Sequence, residues 1–289
     1  MAEHAVQVAP IPAWVDAQRL LGPTGTDAGW QLEPDGGRAV VARARLSSAV
    51  AADLAARLRG VGLDGAPLVC AIDPPLRRPL VRKARTEDAR RRRATTPGFT
   101  RSGARFDDEG RWSLTPESLA TRMAAGVGPG ARVVDAGCGL GGNAIAFARA
   151  GGRVDAIERD LDRLALARHN AAVYGVADRV RFHHGDAVEL VERLAGPDAI
   201  LFVDPPWGTG WDRAHCGLAD LPLLAQLLPL AAGFAELWVK LPPSFATAEL
   251  ADVGASTRAR AWFGEAEGDA RRIKFVTVEI ELAPAPASG

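Results

Sequence analysis

Val133-Val134-Asp135-Ala136-Gly137-Cys138-Gly139-Leu140-Gly141-Gly142-Asn143 reads as a buried strand, a glycine turn and the opening of a helix. Glycine lacks the Cβ that would collide with a ligand lying on the turn, and a helix start offers unpaired N–H groups to a carboxylate. Such a turn also suits a dinucleotide, whose pyrophosphate rests on it. Three acids at successive strand ends favour a sulfonium cofactor, S-adenosylmethionine, instead. Asp135, just before the glycines, can meet the positive end of that donor. Glu158 closes the next strand, where it can accept from both ribose hydroxyls, and Asp186 follows the third strand, where it can accept from the adenine amino group. Gly137, Gly139, Gly141 and Asn143 complete the expected donor site.

Outward from the turn, short apolar runs alternate with helical stretches. Val154–Ile157, Val180–Phe182, Ala199–Val203, Glu236–Lys240 and Phe275–Leu282 read as strands, and Asn143–Ala150 and Leu161–Tyr174 as helices. That alternation predicts an α/β fold in which a mostly parallel sheet is covered on both faces. The pattern before Thr95 is different. Arg38–Leu46 and Pro67–Ile72 read as strands, Ser47 caps an Ala/Leu helix ending near Gly60, and Leu80–Arg93 reads as a helix. Residues 1–95 are therefore expected as a small α+β domain and residues 104–289 as the cofactor-binding domain, with Thr95–Gly103 as linker.

Leu201-Phe202-Val203-Asp204-Pro205-Pro206-Trp207-Gly208 closes the fourth strand. The lone pair of a ring-bound amine is delocalised, so the nitrogen attacks well only when held. The Asp204 carboxylate and the Pro205 carbonyl can accept its two N–H bonds, Pro205 and Pro206 fix the backbone that presents them, and Trp207 can stack on the flat ring. Stacking of this kind contributes about 1–3 kcal/mol per base. Trp211 is a second candidate wall of the acceptor pocket. No strong base is required, since the proton becomes acidic once the nitrogen is alkylated.

Bulk properties narrow the field. Lys plus Arg (35) equals Asp plus Glu (35), so any polyanion must bind a local patch rather than the whole molecule. Three cysteines, Cys70, Cys138 and Cys216, stand in no paired spacing, which argues against structural zinc and disulfides and for a reducing compartment. His183, His184 and His215 have no second pair of ligands spaced to join them, so no metal is expected. No apolar run approaches the roughly 20 residues of a membrane span, and a cytoplasmic protein is expected. Heavy use of Ala, Arg, Gly and Pro fits a GC-rich bacterial genome. Arg77, Arg78, Arg82, Arg85 and Arg90 to Arg93 read equally as a phosphate-gripping patch and as a solvated face. Lys240-Leu241-Pro242-Pro243 reads as a strand end and turn.

From Phe106 to the last strand the chain resembles the RNA cap guanine-N2 methyltransferases, the trimethylguanosine synthase family. The resemblance rests on Phe106-Asp107-Asp108, Trp112-Ser113-Leu114-Thr115-Pro116-Glu117, the Asp135–Asn143 turn, Ala165-Leu166-Ala167-Arg168-His169-Asn170, Val173-Tyr174-Gly175, Gly185-Asp186 and Pro205-Pro206-Trp207-Gly208. It implies a Rossmann-like class I methyltransferase with a seven-stranded sheet. It also implies donor contacts from Thr115, Pro116, Asp135, Glu158 and Asp186, guanine stacked on Trp207, and Asn170 lining the site. Asp204 stands where the family usually has Ser, and residues 1–95 do not match its cap-gripping segment. The expected activity is S-adenosylmethionine-dependent methylation of an exocyclic amine, guanine N2 of RNA or of a guanine-containing nucleotide. The alternatives are a small-molecule N-methyltransferase acting on another planar amine and a non-catalytic RNA-binding protein of the same fold.

Overall fold

The computed structural model describes residues 3–25, 27–207 and 212–282. Two sheets organise it. In the first, strands β1 (Glu3–Pro12), β2 (Gln31–Pro34), β3 (Ala39–Ser47) and β4 (Val69–Asp73) run antiparallel in the order β2-β3-β1-β4. β1 alternates exposed Glu3, Ala5 and Gln7 with buried His4, Val6 and Val8, the period of a strand with one covered face. Helix α1 (Ala17–Leu21) starts at Asp16, whose side chain accepts from the Arg19 N–H. Helix α2 (Ser48–Leu58), capped by Ser47 as its sequence predicts, is partnered by α3 (Arg78–Arg91), with Ala52, Ala56 and Ala84 buried between them.

The second sheet holds seven strands: β5 (Arg132–Ala136), β6 (Arg153–Glu158), β7 (Val180–His184), β8 (Gly196–Val203), β9 (Phe234–Leu241), β10 (Ser256–Phe263) and β11 (Ile273–Glu281). Their order is β10-β11-β9-β8-β5-β6-β7, with β11 alone reversed between β9 and β10. This is the expected class I methyltransferase sheet. Neighbouring residues serve opposite faces. Val133 and Phe202 join a core with helices α4 (Glu117–Ala124), α5 (Gly142–Arg149) and α6 (Leu161–Val173), whereas Val134, Leu201 and Val203 join one with α7 (Ala187–Leu194) and α8 (Pro222–Leu227). Burial on both faces explains the unbroken apolar runs of β5 and β8.

The N-terminal sheet and its helices sit on the edge of the second sheet where the parallel strands end. The Gly62-Leu63 and Ala66-Pro67 hairpin bonds to the loops that follow β8 and β9: Gly62 N–H donates to Arg213 O at 3.0 Å, Asp64 N–H to Pro243 O at 3.1 Å and Gly65 N–H to Ser244 O at 3.1 Å. Asp64 Oδ1 also accepts from the Thr247 N–H and hydroxyl, both at 2.8 Å. The β10–β11 connection supplies a second seat. Arg19 donates to the carbonyls of Ala270 and Gly264 at 3.2 and 2.9 Å, and Phe263 is buried in the N-terminal core. The expected linker is tied down as well, because Thr96 is buried and both its N–H and its hydroxyl donate to Asp269 at 2.8 Å.

Gly62 has no room for a side chain, since a Cβ there would stand 2.1 Å from the Ala214 carbonyl oxygen. Gly62→Ala is expected to lower the unfolding free energy by about 1–3 kcal/mol, measured as a shift of the urea midpoint. An unchanged midpoint would mean that this seat contributes nothing to stability.

Candidate active site

Ala136, the last residue of β5, pairs with Ile157 on one side and Val203 on the other. The tips of β5, β6 and β8 therefore meet where the strand order reverses, the position at which ligands bind in open α/β sheets. Beyond Ala136 the chain turns through Gly137, Gly139 and Gly141, with φ of 94°, 54° and 86°, values that side-chain-bearing residues adopt only at a cost. A Cβ on Gly139 would meet nothing within 4 Å, and one on Gly137 only a Leu223 methyl at 3.7 Å. These two glycines thus border open space. Gly141 serves packing instead: a Cβ would lie 3.3 Å from that of Ala167 on α6, and one on Gly142 would lie 2.4 Å from Leu114.

Four buried oxygen atoms around this turn have no hydrogen-bond partner among the described residues: both carboxylate oxygens of Asp135, Thr115 Oγ1 and Asn143 Oδ1. Nearly all buried polar atoms in folded proteins are bonded, so a cluster of orphans marks a place for a ligand that brings donors. Asp135 is fully buried. Burial, followed by the negative charges of Asp204 and Glu158, pushes its carboxyl up to about 8, against smaller opposing pulls from the Ala144 N–H and Lys240. A cation bound here would reverse that balance. The residues present fit a positively charged, donor-bearing cofactor.

Glu158 is buried with each oxygen already accepting a backbone N–H, Oε2 from Gly139 and Oε1 from Asp160, both at 2.9 Å. Those bonds fix the carboxylate beside the turn, and each oxygen keeps a second lone pair for a ribose hydroxyl. Asp186 caps α7 through Oδ1, which accepts from the Val188 N–H at 2.8 Å. Its other oxygen keeps the accepting capacity expected for the adenine amine. Pro116 stands immediately before α4, and the buried Thr115 lines a small cavity with Gly142 and Ile145.

At the acceptor loop the structure adds a residue that the sequence reading passed over. Val203 of β8 pairs with Val239 of β9, which brings the following residues, Asp204 and Lys240, side by side. Lys240 is buried, its Nζ 2.7 Å from Asp204 Oδ2. It is no mere strand end. The same oxygen accepts from Asn143 Nδ2 at 3.1 Å, so Asn143, expected at the donor, also links the helix start of the donor turn to the acceptor loop. Among the described residues no hydrogen bond engages Asp204 Oδ1, which remains available for an amine. Half-buried Trp207 packs against both cores of the sheet, with Lys240 Nζ 5.0 Å from its ring centroid.

Asn170, expected to line the site, stands in the packed interior beside the glycine turn. It is fully buried, its oxygen accepts from the Arg105 N–H at 2.8 Å and its amide donates to the carbonyls of Arg105 and Leu140, both at 3.1 Å. Both amide hydrogens are used, so Asn170 clamps the crossing segment to the glycine turn and has no donor for a substrate. Trp211 and Gly208 lie outside the described residues. His183 bonds Asp155 at 2.7 Å and His184 bonds the Arg159 carbonyl at 3.1 Å. No group of three or more metal-ligating side chains occurs among the described residues, nor a helix long and apolar enough to cross a membrane.

Residues 130–218, the stretch holding the glycine turn and the acceptor loop, match the family model for RNA cap guanine-N2 methyltransferase. This segment is similar to that family. Trimethylguanosine synthase of Schizosaccharomyces pombe is 36% identical over 119 residues, 36% of this chain and 49% of that protein. The 23S rRNA (uracil(1939)-C(5))-methyltransferase of Acidithiobacillus ferrooxidans is 40% identical over 81 residues, 27% of this chain and 18% of that protein. The chain thus spans about half the length of the first relative and less of the second. Among solved structures, an RNA methyltransferase from Salinibacter ruber in complex with S-adenosyl-L-homocysteine aligns with a TM-score of 0.41 and 22% identity, covering 61% of this chain and 97% of that one.

The charges at these strand tips lead to two expected outcomes. The folded carboxyl of Asp135 holds its proton up to about 8, far above its ordinary value of 3.8, so the native state binds a proton that the unfolded chain has lost. Asp135 therefore favours folding fully below pH 4, and its contribution falls away as the pH rises through 8. The wild-type urea midpoint should fall with pH across that window more than that of Asp135→Asn; equal slopes in the two proteins would show that Asp135 titrates normally. Removal of Lys240 strands Asp204, and breaking a buried pair in this way costs about 3–5 kcal/mol. Lys240→Met should cost that much by urea unfolding and Lys240→Met with Asp204→Asn distinctly less, whereas additive losses would show the pair to be uncoupled.

Proposed function

We propose that this chain is an S-adenosylmethionine-dependent N-methyltransferase whose acceptor is an exocyclic amine, guanine N2 of RNA or of a guanine-containing nucleotide. The observation that carries the reading is the Asp204 carboxylate, anchored through one oxygen by Lys240 and Asn143, beside a glycine turn whose buried oxygens lack donors. The family match over residues 130–218 supports it. The cofactor supplies an electrophilic methyl group on a sulfonium. Asp135, Thr115 and Asn143 offer acceptors to it, Glu158 to its ribose and Asp186 to its base, while Gly137 and Gly139 leave the space it needs.

The rest of the work is placement. Asp204 Oδ1 and the Pro205 carbonyl accept the two amine N–H bonds and turn the nitrogen lone pair toward the methyl group. Lys240 already stands near the Trp207 ring, so a flat base would stack on the other face of that ring. Once the nitrogen is alkylated its proton is acidic, and Asp204 is the group placed to receive it.

Carbon methylation, the reaction in the name of the uracil relative, fits this site poorly. A pyrimidine carbon becomes nucleophilic only after another nucleophile adds to the ring, and a thiolate is the usual means. Cys138 beside the turn is buried, which pushes its thiol well above 9, and burial pushes the Cys216 thiol up to about 11. Neither supplies thiolate near neutral pH.

Labelled methyl transfer to total RNA and to free guanine nucleotides, followed by digestion and mass analysis, should give N2-methylguanosine. Label found only on carbon or oxygen would reject the assignment. Asp204→Ala should lower kcat about a hundredfold or more, the scale expected when a reacting group loses its alignment, and leave donor binding intact by calorimetry. Full turnover in that variant would remove Asp204 from the mechanism.

A further inference from the structure

We infer that the outward face of α3 is an RNA track: a stripe of guanidinium groups that holds the phosphates of a single strand while one of its bases enters the acceptor site. Its place in the reaction rests on the function proposed above, but its charge does not. Ala84 and Asp88 are buried on the side of α3 that meets the rest of the protein. Arg78, Arg82 and Arg85 recur at intervals of four and three residues, which places them along one side of the helix away from Ala84 and Asp88, with Arg90 near its C-terminal end and Arg93 in the turn that follows. All five are exposed, as is Arg77 just before the helix. From Arg78 to Arg90 the stripe extends about 18 Å along the helix.

This face is set apart by clustering, with six exposed arginines, Arg77, Arg78, Arg82, Arg85, Arg90 and Arg93, close together in the chain. Some arginines elsewhere have acidic partners, Arg43 with Glu33, Arg45 with Glu3, Arg122 with Glu265, Arg132 with Asp198, Arg149 with Glu117 and Arg258 with Glu279, and isolated exposed ones such as Arg153, Arg181 and Arg193 stand singly along the chain. Arg91 on α3 pairs with Asp53, Arg92 just after it with Asp88, and Lys83 approaches Glu87. Among the described residues no ion pair includes Arg77, Arg78, Arg82, Arg85, Arg90 or Arg93. Like charges three and four residues apart weaken a helix, and Arg78 lies at the N-terminal end, where the helix dipole disfavours a cation. The charge is therefore kept at the expense of the helix, and a polyanion relieves it. Guanidinium groups bind phosphate through paired N–H donors.

The C-terminal end of α3 fixes the stripe relative to the acceptor loop. Gly268 N–H donates to Ala94 O at 3.0 Å, and Arg272 pairs with Asp88, so this end is fastened to the β10–β11 connection. That connection lies at the same edge of the sheet as Asp204, because β10 runs parallel to β9 and ends there.

The test uses the full chain and a fluorescein-labelled, mixed-sequence single-stranded RNA of about 20 nucleotides, with binding followed by anisotropy from low to moderate salt. Each phosphate neutralised on a single strand contributes about 0.7 to the slope of log K against log salt. The triple variant Arg78→Ala, Arg82→Ala, Arg85→Ala should therefore lose about 2 from that slope and bind more weakly at low salt, with kcat on a free guanine nucleotide unchanged. Arg43→Ala with Arg45→Ala, which removes two paired arginines, should keep the wild-type slope. An unchanged slope in the triple variant overturns the proposal, and so does wild-type binding that ignores salt. Polyglutamate bound as tightly as RNA and lost in the triple variant would reassign the face to an acidic protein. Donor calorimetry separates the two readings: no donor binding with the RNA result intact rejects the methyltransferase function alone, whereas donor binding and nucleotide methylation with no change in slope reject the RNA track alone.

Discussion

Four ionisable side chains share one edge of the main sheet, and their balance depends on the single contact between Lys240 and Asp204. Asp135, Glu158 and Asp204 are drawn together because β5, β6 and β8 end side by side, and like charges so close repel. Glu158 is held by two backbone N–H groups and Asp204 by one ammonium and one amide. Asp135 has no partner within hydrogen-bond geometry, and burial pushes its carboxyl up to about 8. The site thus carries an unmet demand for positive charge at the turn and a settled, oriented carboxylate at the acceptor loop. The helices around it are chiefly a means of holding these strand tips in register.

Much of this was legible in the sequence. The glycine turn, the acid at each strand end and the Asp204–Trp207 loop are local patterns, and local patterns survive folding when the element that carries them is long and apolar. Helices α5 and α6 fall within a residue of their expected limits for the same reason. What escaped depends on strand order. Lys240 looks like a residue whose ammonium reaches water at a strand end; only the register of Val203 with Val239 reveals its partner. Asn170 follows a family motif, yet its amide is committed to Arg105, 65 positions away in the chain. No window of sequence contains that contact.

Three labelled strands were missed, the four-residue β2 and two longer ones whose physical reasons differ. β10 lies at the sheet edge, and Thr257, Arg258 and Arg260 face outward along it. It therefore shows too little apolar periodicity to read. β1 has clear alternation in Glu3–Val8, but the segment invites attention as a chain terminus rather than as the central strand of a sheet. Its partner β3 was recognised, and a strand pairing on both edges was the missing piece.

The N-terminal unit hydrogen-bonds to the loops after β8 and β9 and to the β10–β11 connection, and β5 and β6, which carry the glycine turn and Glu158, stand on the far side of β8. The molecule is therefore divisible along a seam between the strands that carry the glycine turn and those that carry Asp204 and Lys240. Remodelling the N-terminal unit can therefore reshape the approach to Asp204 while the strands beneath the glycine turn keep their geometry.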